Sequence, residues 1–121
     1  MGKKKKETRI KEEEDRLRAL YNDMPIDAMS LLEGLIQRAA YMRITLEDYE
    51  KDLDEKGYIE TFTQSEKTKP YERERPVARL YNTMNKNYQS IMKQLANYLP
   101  KYIRDDFGDD DSAEINAFIK Q

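Results

Sequence analysis

Between Pro25 and Gly57 the chain carries one apolar stripe with no proline to interrupt it. Met29, Leu32, Ile36, Ala39, Met42, Leu46, Tyr49 and Leu53 recur every three or four residues, the spacing that lines one face of an α-helix. Pro25 suits the first helical position, where its missing N–H costs nothing. Gly57, directly after Lys56, reads as the glycine that ends a helix. The pattern predicts a helix over residues 25–56, about 47 Å long at 1.5 Å per residue. Leu31, Leu35 and Ala40 widen the stripe, and Gly34 weakens the helix slightly or admits a close helix contact. A rod of this length cannot bury its own apolar face, so the remaining elements must cover it.

A second stripe follows. Pro76 can start a helix, and Val77, Leu80, Tyr81, Met84, Tyr88, Ile91, Leu95 and Tyr98 fall on one face before Pro100 stops it, which predicts a helix over 76–99. A shorter helix over 9–21 is predicted from Ile10, Leu17, Leu20 and Tyr21, with Thr8 as its cap and charged residues around the rest. Ahead of it, residues 1–8 read as a disordered basic arm. Between the long helices, 57–75 forms an arm. Tyr58 to Gln64 alternates like a short strand, and the polar stretch after it, with Pro70 and Pro76, reads as a loop. Residues 101–121 read as an acidic hinge and a short helix in which Ser112 is the cap and Ile115, Phe118 and Ile119 form an apolar face. The expected fold is mainly all-α: a long antiparallel helical hairpin with a short N-terminal helix packed beside it and a small extended arm. Stripes this thin leave apolar surface uncovered, and self-association into a symmetric oligomer is the expected remedy.

Composition narrows the chemistry. Hydrophobic and charged residues each make up 38% of the 121 residues, apolar-poor for a self-sufficient globule and suited to long amphipathic helices. Without Cys or His, disulfides, thiolate chemistry and the commonest general base are excluded. Asp105 to Asp111 lacks the alternation of a calcium loop, and Glu12 to Asp15 reads as a solvated helix face. No glycine-rich phosphate loop is present, since the four glycines are scattered singly. A non-enzyme without metal or cofactor is expected. No apolar run approaches the ~20 residues of a membrane helix, and no signal peptide is recognisable, so an intracellular soluble protein is expected.

The net charge of −2 conceals segregation into blocks: +2 over residues 1–24, −5 over 25–55, +6 over 56–104 and −5 over 105–121. Lys67, Lys69, Arg73, Arg75, Arg79, Lys86 and Lys93 supply most of the basic block, interleaved with Tyr71, Tyr81, Tyr88 and several amides. Lys and Arg neutralise phosphates and release counterions, while Asn, Gln and Tyr hydrogen-bond phosphate oxygens. Lys67, Lys69, Arg73, Arg75, Arg79 and Lys86, with Lys3, Lys4, Lys5 and Lys6 at the N-terminus, are the expected DNA-binding residues. The bland alternative is a solvated surface in which Glu66, Glu72 and Glu74 pair with the loop cations. Ile115, Phe118 and Ile119 are the expected partner-binding residues, the alternative being that they pack back on the same chain.

The order of these features resembles small terminase subunits of tailed phages, in particular the P27-like family. The resemblance is carried by "RIKEEEDRLRALY", then "LIQRAAYMRITLEDYEKDLDEKGYIETFTQ", a polar turn, and "RERPVARLYNTMNKNYQSIMKQLANYLP", spanning about residues 9–101. It implies a role in viral genome packaging in the host cytoplasm. Such subunits recognise double-stranded viral DNA, regulate a large subunit that holds the ATPase and nuclease, and generally assemble into homo-oligomeric rings. The chain departs from some of them in lacking a clear helix-turn-helix, because "NDMPID" is no tight glycine turn. A second expectation is a structural or adaptor protein of the virion that acts through protein contacts without touching DNA.

Overall fold

The computed structural model describes residues 4–99. Three helices, α1 (Lys6–Ala19), α2 (Ile26–Lys56) and α3 (Pro76–Asn97), are joined by a two-stranded antiparallel hairpin, β1 (Ile59–Phe62) and β2 (Tyr71–Glu74), inserted between α2 and α3. The molecule is mainly helical, as the stripes predict. Lys3, the acidic hinge and Ile115, Phe118 and Ile119 lie outside the described residues.

α2 runs unbroken for 31 residues. Gly57 ends it with φ 81° and ψ 179°, a region essentially confined to glycine, while its N–H donates to the Leu53 carbonyl at 2.7 Å. Leu32, Ile36, Ala39 and Leu46 from the α2 stripe meet Leu17 and Tyr21 on one side, and Tyr88, Met92, Leu95, Ala96 and Leu99 on the other. These residues form the buried core. Both neighbours run antiparallel to α2. Arg9 of α1 reaches Glu47 and Asp48 while Arg18 reaches Glu33. Tyr81 of α3 donates to Glu50 at 3.0 Å.

The α1–α2 connection is tied to α3 by one buried bond: the Tyr21 hydroxyl donates to the Leu95 carbonyl. The Leu95 carbonyl also accepts from the Tyr98 N–H at 3.0 Å, so Tyr21 fills its second lone pair and links the two segments. Burial raises the pKa of this hydroxyl well above its ordinary value, which keeps it a donor.

The boundaries differ from the expected ones at both ends of α1, which stops at Ala19 rather than at residue 21, at the start of α2, where Pro25 is the capping residue and Ile26 the first helical one, and at the end of α3. α1 starts at Lys6, not after Thr8, with Lys5 in the capping position and no side-chain cap. Glu7 sits in the first turn, where it complements the positive helix end, and Lys4 reaches forward to Glu12 at 2.9 Å. Part of the expected disordered arm is therefore helix. α3 ends at Asn97, and Tyr98 and Leu99 tighten into a turn whose N–H groups donate to Leu95 and Ala96.

The stretch expected to be an irregular loop contains a strand. Tyr71–Glu74 pairs with Ile59–Phe62 in the register Ile59↔Glu74, Glu60↔Arg73, Thr61↔Glu72 and Phe62↔Tyr71. Two of these cross-strand pairs are attractive. Arg73 donates to Glu60 at 2.7 Å, and the rings of Phe62 and Tyr71 meet edge to face at 5.9 Å. Ser65 and Thr68 close the turn through their hydroxyls at 2.7 Å. An isolated two-stranded hairpin is marginal in water; this one is anchored at its base, where the Arg75 N–H donates to the Tyr58 carbonyl at 2.8 Å.

Two substitutions separate these contributions. Leu17→Ala removes a side chain only 1% exposed and should cost about 2–5 kcal/mol in urea unfolding. Tyr21→Phe keeps the ring but removes one of the two bonds that the Leu95 carbonyl accepts, for about 0.5–1.5 kcal/mol in the same assay.

Candidate nucleic-acid interface

The cations expected to contact DNA fall into two groups once folded. Arg73 and Arg75 are engaged within the chain. Arg73 lies over the Phe62 ring, 3.5 Å from its centroid, while bonding Glu60. Arg75 donates to the Gly57 carbonyl and to Asp52, both at 2.7 Å, and its side chain is 14% exposed. Their spacing in the sequence resembles that of a binding patch; their geometry is that of a brace. Tyr71, 47% exposed, packs edge-on against Phe62.

The second group faces solvent. Lys67 and Lys69 sit exposed in the β1–β2 turn. Arg79, Lys86 and Lys93 are exposed on α3 and seven residues apart, so they line one helical face at intervals of about 10.5 Å. The α3 sequence contains no Asp or Glu across its 22 residues. Lys86 and Lys93 form no ion pair among the described residues, and Arg79 has one long contact, 3.6 Å from Glu74. Besides Leu80, the exposed positions between the cations are Asn82, Thr83, Asn87, Gln89 and Ser90, with Gln94 just beyond Lys93; these polar side chains are able to hydrogen-bond phosphate oxygens. The opposite face of the helix holds Tyr88, Met92 and Leu95 against α2. Lys93 belongs to this surface as much as the expected Arg79 and Lys86. Its signals in the sequence are the seven-residue spacing and the missing carboxylates.

The N-terminal lysines are divided. Lys4 pairs with Glu12, Lys6 stands 4.9 Å above the Tyr41 ring, and Lys5 is exposed. The other cations of α1 serve its packing. Arg9, Arg16 and Arg18 all bond carboxylates, with Arg16 holding the buried Glu13 at 2.7 Å. Glu33 is held below the usual carboxylate range, chiefly by its bond to Arg18. The α1–α2 seam is thus self-neutralised, while the α3 outer face is not.

A cleft of about 300 Å³ between α2 and α3 is lined by Arg43, Glu50, Tyr81, Asn85 and Gln89 among others. Burial, and then the bond to Glu50, push the Tyr81 hydroxyl up to about 12, so it stays protonated and donating across the neutral range. Among the described residues no acidic cluster is arranged to hold a metal ion, and no helix is long and apolar enough to cross a membrane.

The Asp52 carboxyl is held below its ordinary pKa, first by the Arg75 hydrogen bond. A carboxylate lowered in this way contributes its stability above the unfolded pKa of about 4 and loses it as pH falls through the lowered folded value. The protection of the Arg75 amide against exchange, taken relative to its intrinsic rate, should therefore fall below about pH 4. In Asp52→Asn that protection should be lower at neutral pH and lose little further on acidification.

Compared with known proteins, the chain matches no family model, no curated protein and no solved structure, so the reading of this surface rests on its own geometry.

Proposed function

We propose that the chain is a small terminase subunit: a ring-forming, non-catalytic protein that binds double-stranded viral DNA through α3 and regulates a large subunit carrying the ATPase and nuclease. The observation that supports this most is the outer face of α3, with three exposed cations in line and no carboxylate along the helix. That pattern suits a phosphate backbone, which demands positive charge and hydrogen-bond donors without a rigid pocket. Lys67 and Lys69 at the hairpin turn extend the same charge. The order of features along the sequence supplies the terminase assignment. Leu80, Ile59 and Tyr58, each about half exposed around the start of α3, supply apolar surface for contact between copies. In a ring, each subunit adds its few cations to one field.

The adaptor reading is favoured by a different observation, the large exposed apolar residues Leu31 and Tyr41 on α2. It predicts partner binding with no DNA affinity even at low salt.

DNA titrations over a range of salt concentrations decide between them. Replacing Arg79, Lys86 and Lys93 together by Gln should flatten the log–log salt slope by about three units, one per lost phosphate contact. Arg73→Gln should loosen the hairpin and leave that slope unchanged. An unaltered slope in the triple variant, with its oligomeric mass preserved, would show that DNA lies elsewhere.

A further inference from the structure

α2 has a second face that α1 and α3 cover only in part, with Lys6 of α1 above the Tyr41 ring. Leu31, Gly34, Arg38 and Tyr41 are spaced three, four and three residues apart, with Leu35 and Met42 alongside. Leu31 is 77% exposed and Tyr41 51%. Gly34, Arg38, Tyr41 and Met42 line one side of a groove of about 470 Å³, and Met84 of α3 closes the other. A Cβ placed on Gly34 would meet nothing within 4 Å, so the groove floor is open. Arg38 is exposed and forms no ion pair among the described residues, unlike the cations of α1. The groove, lined also by Gln37, therefore combines Tyr41, Met42 and Met84 with the positive charges of Arg38 and of Lys6 above the Tyr41 ring.

Three observations identify an occupant. The first is where the described chain leaves the bundle. α3 runs antiparallel to α2, and Tyr21, just before α2, bonds Leu95, so Leu99 lies level with the first turns of α2. The groove starts about one turn beyond that level. The second is length. Residues 100–111 span up to ~40 Å when extended, against roughly 12 Å along α2 from the level of Leu31 to Arg38 and beyond. The third is chemistry. Residues 112–121 carry Ile115, Phe118 and Ile119 at the spacing of one helical face, preceded by Asp109, Asp110 and Asp111 and flanked by Glu114. An apolar face bordered by carboxylates is the complement of a groove that sets Tyr41, Met42 and Met84 beside Arg38.

We propose that residues 112–121 dock in this groove of their own chain, with Ile115, Phe118 and Ile119 against Met42, Met84 and Tyr41, and a carboxylate beside Arg38. This assigns the exposed face of α2 to an intrachain contact. It does not depend on the nucleic-acid reading, because the groove and the α3 cations lie on different surfaces.

The methionine methyls provide the test. The full chain, labelled with carbon-13 in those methyls, has six reporters, of which Met42 and Met84 line the groove and Met92 is buried in the core. Phe118→Leu removes an aromatic ring and its ring current while keeping an apolar side chain. The Met42 and Met84 resonances should shift and the Met92 resonance should stay in place. Mixing the labelled variant with excess unlabelled wild-type chain should leave the shifted resonances where they are. Unmoved Met42 and Met84 resonances in Phe118→Leu would overturn the docking. Their return to wild-type positions on mixing would place a neighbouring copy's segment in the groove and overturn the intrachain assignment.

Discussion

Arg75 sets the geometry on which the rest of the structure depends. Its backbone N–H meets the Tyr58 carbonyl, and its guanidinium holds both the Gly57 carbonyl and Asp52. One residue thus fixes three things: the end of α2, the base of the β-hairpin, and the point from which α3 departs. Because Pro76 follows at once and has a restricted φ, the direction of α3 is set within two residues. The rotation of α3 about its own axis follows, and with it the choice of which side chains meet the core and which face solvent. A buried, multiply bonded arginine suits this task because its planar fork can satisfy a carbonyl and a carboxylate together.

Most of the helical architecture was legible in the sequence, and the reasons are local. The α2 stripe has three- and four-residue steps, a proline near its start and a glycine at its end, and Leu32, Ile36, Ala39, Leu46 and Leu53 are all buried as that spacing requires. What was not legible depended on partners distant in sequence. Tyr71–Glu74 has no strand signature of its own; it is a strand because Glu60 and Phe62 stand opposite Arg73 and Tyr71. The same cause hid the ion pairing of Arg73 and Arg75. Arg73 and Arg75 look equivalent to Arg79 in a linear reading, but the first two meet carboxylates across a fold that the chain had yet to form. The start of α1 was misjudged for a related reason, since Lys4 is restrained by Glu12, two turns ahead.

The distribution of ion pairs gives the molecule two electrically different sides. Arg9, Arg16 and Arg18 spend their charge on Glu47, Asp48, Glu13 and Glu33. The exposed members of these pairs are each worth little individually, but together they specify how α1 lies along α2, with Leu17 and Tyr21 supplying the burial. α3 carries no carboxylate of its own, and of its exposed cations Arg79 has one long contact with Glu74, so its field projects outward. A net charge near zero for the whole chain is therefore compatible with a strongly directional surface.

The composition of α3 has one more consequence. Its exposed positions are rich in Asn, Thr and Ser, poor helix formers, and with no acidic residue it has no attractive charge pairs one turn apart. Such a segment is barely helical alone and owes its shape to Tyr88, Met92 and Leu95 lying on α2. Arg79 and Lys93, fourteen residues apart in sequence, share a line only while that packing persists. Any ligand that grips the whole line consequently favours the folded over the unfolded chain. Recognition and folding of this helix are thermodynamically one process, and the free energy of gripping the line appears as a higher melting temperature of the bundle.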